Sequence, residues 1–214
     1  MQASIFYETP HSEACLLSWI SVKVWEENAA SLQGVRSAAQ AQGFRGKIGD
    51  IAYIAPRKDH PATFLIGLDP TAWFASIAAA VTKLPAGHYL SQAPLPEAAL
   101  LGWSLAQYRF DRYKTSAAPL RCLGISLEAQ KQILPTVDAI FMIRDLINTP
   151  AEDMGPAALA EATRQLAERH AGASVTVCEG HALAQEYPAI HRVGRGAQGA
   201  PCLIHLTWGN PAHP

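Results

Sequence analysis

Most of the devices that announce an enzyme in sequence are missing from this chain. The four cysteines, Cys15, Cys122, Cys178 and Cys202, form no Cys-x-x-Cys pair, and each sits in or beside an apolar stretch. That excludes a disulfide scaffold and a zinc ribbon, and it reads as buried free thiols in a reducing compartment. The eight histidines are scattered, with no two at i, i+4 and no His-Glu-x-x-His, so a helix-borne metal pair is excluded. Gly-x-Ser-x-Gly is absent, which removes the strand–turn–helix nucleophile. A basic excess is also missing. Residues 1–150 carry 13 Lys and Arg against 12 Asp and Glu, and residues 151–214 carry 4 against 6. Nucleic acid is therefore not an expected partner. Neither a leader pattern nor an apolar run of membrane length is present, so the expectation is a soluble, cytoplasmic protein with no membrane partner. No internal repeat or low-complexity tract appears.

What is present is an alternation of strand-like and helical patterns. Nearly half the residues are apolar, enough for a core and too many for a disordered chain. Short β-branched or aromatic runs predict strands at 15–20, 50–55, 63–68, 119–125, 174–179 and 201–208. Between them, helices are expected at 28–42, stopping at Gly43, and at 70–83, with Asp69 as cap and Pro70 in the first position. A third, over 96–113, would place Leu101, Leu105 and Tyr108 on one face. Residues 127–148 are dense in apolar side chains and predict a long helix buried on more than one side. Pro135 should kink it or delay its start, and Asn148-Thr149-Pro150 should end it. A further helix is expected over 156–170, opening at Gly155-Pro156. The pattern is that of an α/β protein with a boundary between Thr149 and Gly155.

Four groups of residues invite a chemical reading. Gly194, Gly196 and Gly199 spell Gly-x-Gly-x-x-Gly, but a dinucleotide site needs a helix to open at the glycines and an acidic residue about twenty positions on. Ala200-Pro201 and a strand follow instead, so the glycines read as a loop between two strands. Tyr108 to Lys114 interleaves basic and aromatic residues, which could stack bases but reads better as the end of an amphipathic helix. His181 and His191 are separated by Pro188, against a shared metal. Glu152 and Asp153 are adjacent carboxylates before a helix. Two neighbours in a loop do not supply a two-metal site, and they are expected to complement the helix N-terminus. By these residues alone, catalytic, cofactor-binding and metal positions are all assigned to none.

Three segments, in order, carry a resemblance: LLGWSLAQYRFDRYK (100–114), RDLINTPAEDMGP (144–156) and YPAIHRVGRGAQGAPCLIHLTWGNP (187–211). They are similar to the leucyl (cytosol) aminopeptidase family. The middle one is close to that family's interdomain signature RDLxNTPxNDMxP, departing at Glu152, where the family commonly has Asn. Residues 1–95 match only in rough pattern. The resemblance implies an N-terminal three-layer α/β domain with a mixed, macro-domain-like sheet over 1–126, and a connecting helix over 127–150. It further implies the incomplete first part of an α/β zinc-exopeptidase-like catalytic domain over 151–214. It implies a cytoplasmic metalloaminopeptidase that releases N-terminal residues such as Leu from peptides, with two zinc or manganese ions, assembled as a hexamer. The family's metal-binding motifs, of the types VGKGVxFDSGG and NTDAEGR, do not occur in this chain. The resemblance therefore implies that these 214 residues are inactive alone. The alternative reading is a non-catalytic binding or oligomerisation module derived from the same family.

Overall fold

The computed structural model describes residues 5–8, 14–27, 30–58, 60–114, 120–210 and 212. Two compact units divide between Met142 and Ile143.

The first unit is built on one six-stranded sheet. In chain order its elements are β1 (Phe6–Tyr7), β2 (Cys15–Ser21), α1 (Val22–Glu26), a 3-10 turn (Ala30–Leu32), α2 (Arg36–Ala41), β3 (Ile51–Ile54) and β4 (Thr63–Leu68). Then come α3 (Trp73–Val81), β5 (Gly87–Ser91), α4 (Glu97–Leu105), β6 (Arg121–Gly124) and α5 (Leu127–Asn148), the last continuing beyond the unit's end. The strand order is β1-β6-β5-β2-β4-β3, and every pairing is parallel except β3 with β4. A mainly parallel sheet needs helices on both faces, because the crossovers put them there. The period-two alternation shows how they are shared. Leu17, Phe64 and Ile66 point into one layer with Ile77, Leu100, Trp103 and Val137 from α3, α4 and α5. Ile20, Leu65 and Ala52 point into the other with Trp25, Ala39 and Phe44 from α1, α2 and the chain after α2. The class and the three layers are those expected.

Several elements differ from expectation. The helix expected at 28–42 is, in its described part, a 3-10 turn and a short α2, because Gly34 takes a positive φ between them; residues 28 and 29 lie outside the described residues. The helix placed at 70–83 starts at Trp73, not Pro70. Asp69 spends its carboxylate on the Thr71 amide (2.8 Å) and hydroxyl (2.7 Å), which closes a turn ahead of the helix. The helix placed at 96–113 stops at Leu105. The Gln107 amide donates to the carbonyls of Trp103 and Arg121 and accepts from the Arg121 N–H, stitching the helix end to β6. Its buried face is Ala99, Leu100 and Trp103, while Leu101, Leu105 and Tyr108 only flank the core.

The long helix over 127–148 is present from end to end, opened by Ser126, whose hydroxyl accepts from the Ala129 amide. Pro135 neither delays nor ends it. It is not buried on more than one side. Ile133, Val137 and Phe141, four apart, form the buried stripe, and Ile143 and Ile147 are exposed, at 50% and 76%. Apolar density misled here because it reports a residue's character and not what lies opposite it. The strands β1 and β5 and the helix α1 were not anticipated. Phe6–Tyr7 is too short to show a period, and Gly87–Ser91 is half polar. The strand expected at 119–125 spans Arg121–Gly124, and residue 119 lies outside the described residues.

The second unit holds the end of α5, then α6 (Pro156–Glu168), β7 (Ala173–Glu179), α7 (Gly180–Glu186), α8 (Pro188–Gly194) and β8 (Cys202–Trp208). Gly155 caps α6 and Pro156 stands at its start, as read from sequence. β7 and β8 pair antiparallel, from Ala173 with Trp208 to Glu179 with Cys202, as a two-stranded sheet among the described residues. Leu206 is 40% and Trp208 74% exposed.

Candidate functional site

The residues singled out by sequence do not converge. Glu152 and Asp153 lie exposed in the turn between α5 and α6, just ahead of the α6 N-terminus. His181 lies exposed on α7 and His191 half-buried on α8. Among the described residues no three His, Cys, Asp or Glu side chains group as metal ligands.

Gly194 closes α8 and Gly196–Gly199 lead into β8, so the loop runs from a helix to a strand, not between two strands as expected, and no helix opens at it. A Cβ on Gly194 would lie 2.2 Å from the Pro201 ring, so packing accounts for that glycine. The stretch after Leu105 is not helical, which corrects the amphipathic-helix reading. Tyr108 meets Phe141 at 5.2 Å with the rings tilted by 50°, Phe110 meets Tyr113 edge-on at 5.8 Å, and the Arg112 guanidinium lies 5.8 Å from the Tyr113 ring. All four cysteines are free thiols. Burial pushes Cys15 and Cys122 up, and burial and then the Glu186 charge push Cys178 up, so none of these three is primed as a nucleophile.

Among the concave features of the described residues is a cleft that sequence reading missed. The connection leaving β2 runs to α1 and α2 on one face, and the connection leaving β4 runs to α3 on the other. β2 and β4 are parallel neighbours, so their C-terminal ends diverge and leave a crevice. A cleft of about 480 Å³ lies there, lined by Ser21, Val22 and Lys23 after β2, Leu68, Asp69 and Pro70 after β4, and Gly46, Lys47 and Ile48 from the segment ahead of β3.

That segment is clamped onto the strand ends. The Asp50 carboxylate accepts from the amides of Arg45 (2.8 Å) and Lys47 (3.1 Å), the Gly67 N–H donates to the Asp50 carbonyl (2.9 Å), and the Lys83 ammonium donates to the Gly49 carbonyl (2.6 Å). Glycine is required at two points. A Cβ on Gly67 would sit 1.8 Å from the Lys47 carbonyl oxygen. One on Gly46, at φ +79°, would sit 2.9 Å from the Ser21 backbone. The only sequence signals were the glycines at 46, 49 and 67 and the Asp69-Pro70 pair, far apart in the chain.

Residues 16–125 match the sequence model described as M17 aminopeptidase, N-terminal domain, and residues 141–214 match the cytosol aminopeptidase family, catalytic domain. The chain belongs to the M17, or cytosol, aminopeptidase family. Solved structures agree. A cytosol aminopeptidase from Coxiella burnetii is 28% identical with a TM-score of 0.87, over 97% of this chain and 47% of that one. The bottromycin maturation enzyme BotP, in complex with Mn, is 25% identical with a TM-score of 0.72, over 94% and 46%. A tomato leucine aminopeptidase variant, 18% identical with a TM-score of 0.68, shares the fold over 98% and 51%. The chain thus spans about half the length of the family structures it matches.

Proposed function

We propose that these residues form the N-terminal half of a metal-dependent, cytoplasmic leucyl-type aminopeptidase that releases N-terminal amino acids from peptides. The observation that carries this is the match of the whole chain, over both units, to a cytosol aminopeptidase about twice its length. In this reading residues 1–126 are the N-terminal α/β domain, 127–150 the connecting helix, and 151–214 the first part of the catalytic domain. A homo-oligomer, hexameric by family resemblance, completes the proposal.

The described residues do not fit the family's pair of divalent ions. A two-metal site needs several ligands converging on ions about 3.5–4 Å apart, and among the described residues no three candidate ligands come together. No step of peptide hydrolysis is therefore assigned to them. The manganese in the BotP complex supports manganese as one metal for the longer protein.

The purified 214-residue chain should leave a leucine chromogenic substrate unhydrolysed, with or without added manganese or zinc. Chelator-sensitive hydrolysis by the chain alone would overturn the reading. A fusion that adds the remaining catalytic residues of a family member is the positive arm and should turn the substrate over.

A further inference from the structure

The crevice between the ends of β2 and β4 has the features of a ligand site that peptide hydrolysis does not explain. In open α/β sheets, ligands bind outside the carboxyl ends of the strands, where connections leave to opposite faces. The volume, about 480 Å³, falls within the range of small-molecule sites. The clamps on Asp50 and Gly49 hold the 45–50 segment in place without a ligand, so little ordering remains for binding to impose.

The walls name the chemistry. Val22, Ile48, Leu68 and Pro70 make most of the lining apolar, and Ile48 is 43% exposed at the lip, where a ligand would cover it. Lys23 and Lys47 are two cationic residues of the lining, against one acidic residue, Asp69. Lys47 has no ion-pair partner among the described residues. Lys23 makes only a 3.9 Å exposed pair with Glu27, an interaction worth little. Asp69 is already committed to Thr71, and those hydrogen bonds, side chain first, hold its carboxyl below its ordinary value and therefore ionised. A dianion would face that fixed negative charge. One negative charge on an apolar body meets the lysines and still fills the walls.

We propose that this crevice binds a small apolar monocarboxylate, its hydrocarbon against Val22, Ile48 and Leu68 and its carboxylate on Lys47 and Lys23. The site lies wholly in the first unit and stands apart from the aminopeptidase reading.

Amide NMR of the 214-residue chain, titrated with isocaproate, tests it. Saturable shifts are expected at Val22, Lys23, Lys47 and Ile48, with a dissociation constant of about a millimolar, as suits so small a ligand. The double variant Lys23→Gln, Lys47→Gln should weaken binding about tenfold, since it removes two charge-assisted contacts. Both lysines are exposed, so the spectrum should otherwise be unchanged. Isocaproamide, the neutral isostere, should bind the unmodified chain about as weakly as isocaproate binds the variant. Absence of saturable shifts at these residues would overturn the site. Equal affinity for acid and amide would overturn the role of the lysines. Tighter saturation by inorganic phosphate would overturn the ligand class.

Discussion

Tyr89 shows how much one buried side chain can be asked to do. It is 1% exposed, packs edge-on against Phe64 and Trp103, and donates its phenol proton to the Pro85 carbonyl at 2.7 Å. Burial, and then the charge at Cys15, push its pKa up to about 12, with Arg121 opposing. The folded state therefore holds this proton more tightly than the unfolded state, whose tyrosine titrates near pH 10. The stabilisation is whole below about pH 10 and is lost as pH rises through about 12, amounting to about 2–3 kcal/mol. Urea midpoints should fall between pH 9.5 and 11.5, and Tyr89→Phe should fall less over the same interval. A parallel fall in both would show that other groups control alkaline unfolding. Gly67 makes a second residue-scale case. Its missing Cβ leaves room for the Lys47 carbonyl, so Gly67→Ala must push the clamped segment outward. A loss of about 1–3 kcal/mol is expected from overpacking, read from the urea midpoint. A neutral result would mean that the segment moves freely.

Among the elements, α5 carries the clearest conflict between local rule and outcome. A proline inside a helix removes one intrahelical bond and crowds the preceding turn. Pro135 does so on the exposed side, while Ile133, Val137 and Phe141 anchor the other. The tertiary contacts hold the helix together in spite of the proline. Pro135→Ala restores the missing donor at an exposed position, so it should raise stability by about 1 kcal/mol or more. The check is the thermal midpoint. A fall would mean that the proline's geometry is needed for the buried stripe to seat. The β7–β8 pair is the opposite case, in which each strand keeps an unpaired edge among the described residues. Leu206 and Trp208, exposed at its end, sit on the kind of edge that templates association.

At the scale of the whole molecule, the two units differ in how much core each owns. Among the described residues, twenty-seven of the buried apolar side chains, including every buried large aromatic, lie in the first unit, and only Ala160 and Leu183 in the second. Domain stability is only about 5–15 kcal/mol, and burying a Leu or Ile contributes roughly 1.5–3 kcal/mol. The second unit is therefore the weaker. Limited proteolysis should cut first between Thr149 and Gly155, where residues 150–153 are exposed, and leave a resistant N-terminal core. Early cleavage inside the first unit, with 151–214 surviving, would reverse that ranking.

The sequence by itself determined the α/β class, the two full-length central strands at 15–20 and 63–68, the whole span of α5, and the start of α6 at Gly155-Pro156. Each is written in a local period or a cap that needs no partner to be read. RDLINTPAEDMGP carried the family for the same reason, as a contiguous run. The strands expected at 50–55, 174–179 and 201–208 were legible in the same way, and the tertiary structure decided what no local pattern held. Phe6–Tyr7 is a strand because Leu123 and Gly124 lie beside it, and Gly87–Ser91 because β2 and β6 flank it. Ile147 is 76% exposed although it is as apolar as Ile133, which is buried on the same helix. The crevice exists because two parallel strands send their connections to opposite faces. That is a property of chain crossing, and no window of adjacent residues contains it.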